Sequence, residues 1–342
     1  MDGHVVLRRY APAVALMGGA VSLLQAVMPK HEPAALADAE KRLLGHVKTP
    51  LSTLFVQAGA YRIRTIIGGD GPPLVMLHGH GGGVGSWFPN YDALAEHFRI
   101  YAIDWLGWGR SDRPYFDGKS TESALDWWLE SLEAWRKKMG LTNFFLLGHS
   151  LGGWMATEYA LAYGQHVRQL IIENPAGIVD HLTLRKTLLY YISPQRLVQA
   201  LGPFGSQLVE HSYREQMADH TAGNALINYY YHLSLAPLSG QMAFQRVLNL
   251  NPLQWNSPLE PRAEQLNTPT TIIWGVNDHL FPMDLGQLLH ARLPLGHFMP
   301  IANARHTPHL EDPEGFAEAV IRTKYEGLHT SQAYDPFSVA MT

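Results

Sequence analysis

Short apolar runs rich in β-branched residues recur along the chain, and several end at a glycine. Between them, apolar residues return every three or four positions, the helical period. An opening hairpin is predicted over Leu54 to Ile67, closed by the turn cluster Gly68-Gly69-Asp70-Gly71-Pro72-Pro73. Strands are predicted at Leu74 to Leu77, Arg99 to Ile103, Phe144 to Leu147, Leu170 to Ile172, Thr270 to Trp274 and Phe298 to Ile301. In the helical stretch Leu125 to Met139, the residues Leu125, Trp128, Leu129, Leu132, Trp135 and Met139 share one face, so its tryptophans are read as packed on the sheet. Alternating strands and helices predict an α/β fold, a mostly parallel sheet covered on both faces.

The alternation lapses between about Gly177 and Arg262. Apolar runs at Leu182 to Ile192 and Tyr229 to Leu235, several prolines and no buried strand predict a helical lid inserted above the sheet. Tyr190, Tyr191 and Tyr230 are candidate substrate contacts in that lid, each with an apolar body and a polar tip. The competing reading of each is a place in the lid's own core.

The chemistry gathers where strands end. Gly148-His149-Ser150-Leu151-Gly152 stops one strand and opens a helix-forming stretch, a Gly-x-Ser-x-Gly elbow that holds a serine hydroxyl clear of its neighbours. The acid and then the histidine follow the serine in this architecture. Asp278 follows the strand ending at Trp274-Gly275, and His306 follows the strand ending at Ile301. Ser150 would attack, His306 would carry its proton, and Asp278 would orient the imidazole and stabilise its charge. His309 is the rival base and Asp284 the rival acid, the latter deeper in a helix start. His78-Gly79-His80-Gly81-Gly82-Gly83 follows the strand at Leu74 to Leu77, so Leu151 and His80 or Gly81 are candidate oxyanion donors through their backbone N–H groups. The loop has neither the Lys-Ser/Thr of a phosphate loop nor a dinucleotide fingerprint. His149, beside the serine, is a further candidate substrate contact. His78 and His80 alternate with glycine like metal ligands, but no third ligand stands nearby, and neither metal nor organic cofactor is expected.

These motifs resemble the α/β-hydrolase superfamily over roughly residues 50 to 325. Asp104-Trp105-Leu106-Gly107-Trp108-Gly109-Arg110-Ser111 looks like that family's DxxGxGxS turn, in which the Asp and Ser are structural. With HGHGGGVGSWFPN, WRKKMG, YYYHLSLAPLSGQMAF and HTPHLEDPEGF, the chain resembles one lipid-handling branch. That branch holds the lipid-droplet coactivator of triacylglycerol lipase, the N-acyl phosphatidylethanolamine hydrolase, and plant and fungal relatives acting on phospholipids and cardiolipin. The resemblance reaches back to AEKRLLGHVKTP. It implies an α/β-hydrolase fold with a lid at about 177–262 of a domain spanning 50–325, after a lead-in at 1–49 and before a tail at 326–342. It also implies an esterase or amidase of phospholipid, lysophospholipid or N-acyl phospholipid. Two positions depart from the branch. His80 stands where an aromatic residue follows the first His-Gly. The His-x4-Asp spacing credited with acyl transfer finds Glu311 after His306, with Asp312 one residue late. The coactivator lacks the serine that this chain carries at 150.

Composition narrows the classes further. With 342 residues, 46% of them hydrophobic, the chain can bury one large core plus an insertion. A net charge of −4 gives no basic footprint for nucleic acid, and the absence of cysteine excludes disulfides and thiol chemistry. Arg8 and Arg9 precede Ala11 to Met28, which carries no charge and only Ser22 and Gln25 as polar side chains. At 18 residues this is just short of the ~20 that span a bilayer core. The segment is read as a membrane anchor, a cleaved targeting segment or an interfacial helix, against a helix packed on the enzyme body. The expectation is an intracellular, membrane-associated protein acting at a membrane or lipid-droplet surface. Acyl transfer to a lysophospholipid, hydrolysis of a small soluble ester, and a non-enzymatic coactivator or lipid-binding scaffold are the alternatives.

Overall fold

Residues 30–179, 193–214, 222–250 and 253–326 are described by the structure, a computed structural model. The N-terminal apolar segment, the Leu182 to Ile192 run with Tyr190 and Tyr191, and the tail beyond Glu326 lie outside these residues.

The predicted hairpin is β1 (Ser52–Ala58) paired antiparallel with β2 (Tyr61–Gly68), turning at Gly59 with φ 60°. The strands that follow are β3 (Pro73–Leu77), β4 (Arg99–Ile103), β5 (Phe144–His149) and β6 (Val167–Glu173). Beyond the lid come β9 (Thr270–Gly275) and β10 (Gly296–Ile301). Together they form an eight-stranded sheet in the order β1-β2-β4-β3-β5-β6-β9-β10, parallel from β4 onward. β5 is buried along its whole length, as a strand covered on both faces must be.

Helices cover the two faces. α1 (Pro33–Leu44) comes first, followed by the short α2 (Tyr91–Ala95). α3 (Thr121–Met139) starts where the Ser120 hydroxyl accepts from Ser123 N, and stops at Gly140 with φ 68°. Trp135 packs on the sheet, its Nε1 donating to Thr65 Oγ1 at 3.0 Å, and Trp128 Nε1 donates to Leu106 O in the turn after β4 at 3.1 Å. α4 (Leu151–Tyr163) follows β5, and α9 (Met283–Arg292), α10 (Pro308–Glu311) and α11 (Pro313–Glu326) close the fold. This chain order fixes which loops meet, because every parallel strand presents its C-terminal end to the same edge.

Between β6 and β9 lies the insertion. It contains α5 (Pro194–Leu201), α6 (Gly205–Tyr213), α7 (Gly223–Leu235) and α8 (Ser239–Phe244). It also contains a two-stranded sheet that the hydrophobic pattern does not reveal, β7 (Leu248–Leu250) with β8 (Leu253–Trp255). Each strand has three residues with a polar one at its centre, too short for any periodicity to register.

Packing begins well before residue 50. Leu36, Ala39 and Leu43 of α1 are buried, and Glu40, buried with them, pairs with Arg64 of β2 and with Arg110 at 2.6 Å. Such a pair is weak evidence for stability while intact, yet losing one partner strands a desolvated charge. Glu40→Ala is therefore expected to lower the unfolding free energy by about 3–5 kcal/mol, read from denaturant titrations. A loss near zero would mean that Arg64 reaches water.

Candidate active site

Ser150 occupies the turn between β5 and α4 with φ 52° and ψ −116°, a conformation that few non-glycine residues adopt. The turn tolerates no side chains two residues either way. A Cβ on Gly148 would collide with the Gly152 backbone, and one on Gly152 with the carbonyls of Leu77 and His78. Backbone bonds hold the strained residue, with Ser150 N donating to Glu173 O at 2.9 Å and Ala176 N donating to Ser150 O at 3.0 Å.

The structure brings Ser150, His306 and Asp278 together from three strand ends. His306 Nε2 lies 3.1 Å from Ser150 Oγ, and His306 Nδ1 lies 2.8 Å from Asp278 Oδ2. Asp278 also accepts from Asn174 Nδ2 at 2.7 Å, Leu280 N at 2.7 Å and Phe281 N at 2.9 Å. Burial alone would raise this carboxyl, but the facing His306 and the N–H donors outweigh it and hold Asp278 below its ordinary value. The rival acid Asp284 is exposed in the first turn of α9, where it accepts from Leu285 N.

His309, the rival base, points elsewhere. It is 1% exposed, and both its backbone N–H and Nδ1 lie 2.9 Å from Glu173 Oε1. Burial pushes His309 down to about 3 and Glu173 up to about 7, so the ring stands neutral beside that carboxyl. His149, also held near 3 by burial, meets the His306 carbonyl at 2.9 Å through Nε2, and its ring lies between His306 and His309. It therefore supports the loop that carries His306. His149, Glu173 and His309 offer ligand atoms within 4.8 Å of one another, the raw material of a cation site. Two of their nitrogens are already engaged, His309 Nδ1 with Glu173 and His149 Nε2 with the His306 carbonyl, so the set reads as a hydrogen-bonded brace.

The oxyanion candidates flank the serine. Leu151 is the first residue of α4, so its N–H has no acceptor within the helix and sits at the positive end of the dipole. The loop after β3 runs alongside, since a Cβ on Gly79 would lie 3.3 Å from Ser150 Cβ. Gly81 has φ 69°, and His80 is clamped between body and lid. Its Nε2 meets Gln241 Oε1 of α8, and its ring lies 5.1 Å from both Trp108 and Phe244. His78 is wholly buried with Nδ1 on Gly79 O at 2.7 Å, a supporting residue. Asp104 braces the loop from below, accepting from Val84 N and Arg110 N at 2.6 Å each.

Tyr230 is taken up by packing: its hydroxyl meets Ser86 Oγ at 2.8 Å and its ring stacks on Tyr213 at 4.0 Å. Both its polar tip and one ring face thus have protein partners. Glu311 is similarly engaged, with Arg305 N and Nε. Sequence reasoning passed over Glu173 and Asn174. Their signal was two polar residues closing the apolar strand Leu170-Ile171-Ile172, at the edge where the loops of Ser150, Asp278 and His306 gather.

Residues 72–313 match the family defined by the alpha/beta hydrolase fold, and the chain belongs to that family. Among its relatives is a 1-acylglycerol-3-phosphate O-acyltransferase of Arabidopsis thaliana, 34% identical over 87% of this chain and 82% of that protein. A (lyso)-N-acylphosphatidylethanolamine lipase of Mus musculus is 32% identical over 73% of this chain and 78% of that protein. Of the solved structures, a bacterial membrane phospholipase A superposes with a TM-score of 0.69 at 22% identity, covering 94% of this chain and 99% of that one. This last likeness is one of fold.

Ser150→Ala should abolish turnover of a short-chain chromogenic ester without unfolding the protein, a loss on the order of 10⁶ for a nucleophile of this kind. His306→Ala should fall nearly as far, and His309→Ala much less when folded. Asp278→Asn should cost more than Asp104→Asn, and near-normal turnover of Asp278→Asn would move the acid elsewhere. A second expectation concerns pH. The folded value of Glu173, about 7, lies above its unfolded value, so its contribution to stability is complete below about 4.5 and lost as pH rises through about 7. The stability of Glu173→Gln relative to the native chain should therefore improve across that window in paired urea titrations. A flat difference would mean that Glu173 stays ionised.

Proposed function

We propose that the protein hydrolyses an acyl ester or amide of a lipid through an acyl-Ser150 intermediate. The observation that carries this reading is the chain of contacts from Ser150 Oγ through His306 to Asp278. His306 Nε2 takes the serine proton as Oγ attacks the acyl carbonyl, and Asp278 stabilises the imidazolium. The N–H groups of Leu151 and of His80 or Gly81 receive the oxyanion. Collapse of the tetrahedral species expels the alcohol or amine, which takes the proton from His306. Water then repeats the sequence on the acyl-serine and releases the fatty acid. No step requires a metal or organic cofactor.

A lipid substrate is favoured by the names of the two relatives, each of which handles a glycerophospholipid or its lyso form. Acyl transfer is the second reading, favoured by the Arabidopsis thaliana relative, with a lysolipid hydroxyl replacing water as acceptor. Association with a membrane or lipid-droplet surface completes the proposal and rests on Ala11 to Met28 in the sequence; no helix among the described residues is long and apolar enough to cross a membrane.

A fluorophosphonate probe should label the native chain and fail on Ser150→Ala. Phospholipid, lysophospholipid and N-acyl phospholipid vesicles with a labelled acyl chain should then yield free fatty acid, whereas re-esterified lipid would indicate transfer. Removing residues 1–29 should reduce cosedimentation with those vesicles while a water-soluble ester is still turned over. Absence of labelling would overturn the serine reading, and unchanged cosedimentation would overturn the role of the segment.

A further inference from the structure

The lid carries one polar side chain whose position the proposed chemistry leaves unexplained. Gln195 stands in the first turn of α5, where the Ser193 hydroxyl caps the helix by accepting from Arg196 N at 3.2 Å. Only 6% exposed, Gln195 faces inward with Val198 of the same helix. Its amide lies directly over Gly81. A Cβ on Gly81 would run into Gln195 Nε2, and would lie 3.0 Å from Cδ and 3.8 Å from Oε1. The left-handed glycine and the absent side chain at 81 thus make room for the lid's amide beside the candidate oxyanion loop.

Gln195 Oε1 is buried and has no hydrogen-bond partner among the described residues. An apolar residue would fill the position without that penalty, since a buried acceptor lacking a donor costs free energy that packing does not return. The helix is also held in place. Gln199, one turn further along α5, donates through Nε2 to Ser234 O at 2.8 Å and Ala236 O at 3.2 Å, tying it to α7 and the residue after it. Gln195 therefore holds its amide at a set height above Gly81, with Nε2 the nearer atom and the unpartnered Oε1 behind it, two residues along the loop from Gly79, which flanks Ser150.

We infer that Gln195 is a specificity-determining residue whose Oε1 accepts a hydrogen bond from an O–H or N–H of the substrate beside the scissile carbonyl. The inference rests on the serine-hydrolase reading. It names the substrate class as acyl lipids bearing such a donor: a free hydroxyl on the carbon next to the ester, or the N–H of an N-acyl group. Both present the same chemistry to Oε1. A site built around an acceptor discriminates against an analogue that leaves it empty, because the buried oxygen then stays unpaired in the complex.

The test compares kcat/KM on two substrate pairs: a 1-acyl lysophospholipid against its 2-deoxy analogue, and an N-acyl amide lipid against its N-methyl analogue. The native protein should favour the donor-bearing member of at least one pair by on the order of 10-fold or more. The pair that shows it identifies the donor as hydroxyl or amide. Gln195→Met keeps the length of the side chain and removes the acceptor. It should bring the ratio near unity, mainly by slowing the donor-bearing substrate, while fluorophosphonate labelling of Ser150 persists. Gln195→Leu carries the same comparison if the methionine variant does not fold. A native ratio near unity on both pairs overturns the inference whatever the variants do. So does a variant that slows both members equally, since Gln195 would then only shape the loop. Failure of the native chain to label or turn over any ester removes the serine-hydrolase reading, and this inference falls with it.

Discussion

The upper edge of the sheet is organised around one strained backbone position. Ser150 can hold φ 52° only because the residues around it leave no alternative: its carbonyl accepts from Gly153, Trp154 and Ala176, and its N–H is given to the end of β6. Glycine at 148 and 152 lets α4 begin immediately and lie close against the ends of β3 and β5. From that follows the helix terminus beside the serine, and with it an N–H at Leu151 that has no acceptor within the helix. The place of the hydroxyl and of the helix end beside the loop after β3 thus follows from one turn.

Two carboxylates near this turn each face a histidine and are driven in opposite directions. Asp278 receives two backbone N–H groups, an asparagine amide and His306, enough to keep it ionised despite burial. Glu173 has donors from His309 on one oxygen, while the other is buried without a partner among the described residues, so the proton is held far more readily. The contrast explains why His306 and His309, three residues apart, are so differently engaged. One faces Ser150 and an ionised acid, and the other is locked into the core with Trp87 and Phe316. Environment separates them more than residue type does.

Most of the strands and α3 were legible in the sequence because apolar period and turn residues are local signals. Ser150, His306 and Asp278 could be singled out because each follows a strand whose end is marked, and chain order did the rest. What stayed hidden depends on contacts between distant positions. Glu40 meets Arg64 and Arg110, Asn174 meets Asp278, and Gln195 covers Gly81, none of which any window of sequence contains. The partners of Tyr230 were hidden for the same reason, since Ser86 is distant from it in the chain and Tyr213 lies outside its helix.

The seam between lid and body has a further meaning for how such enzymes diversify. His80 is tied to Gln241, Gly85 N donates to the Tyr229 hydroxyl at 3.2 Å, and Ser86 meets Tyr230, so the lid is stitched to the same loop that flanks the serine. An insertion joined to its scaffold only at its ends could be exchanged as a cassette. Here the loop from His80 to Ser86 and the helices α7 and α8 form one hydrogen-bonded unit. A chimera that imports a foreign lid without its matching loop would leave His80 and Ser86 facing the wrong neighbours. Changes of specificity in this architecture should therefore arise as coupled substitutions on both sides of the seam, rather than through replacement of the lid alone.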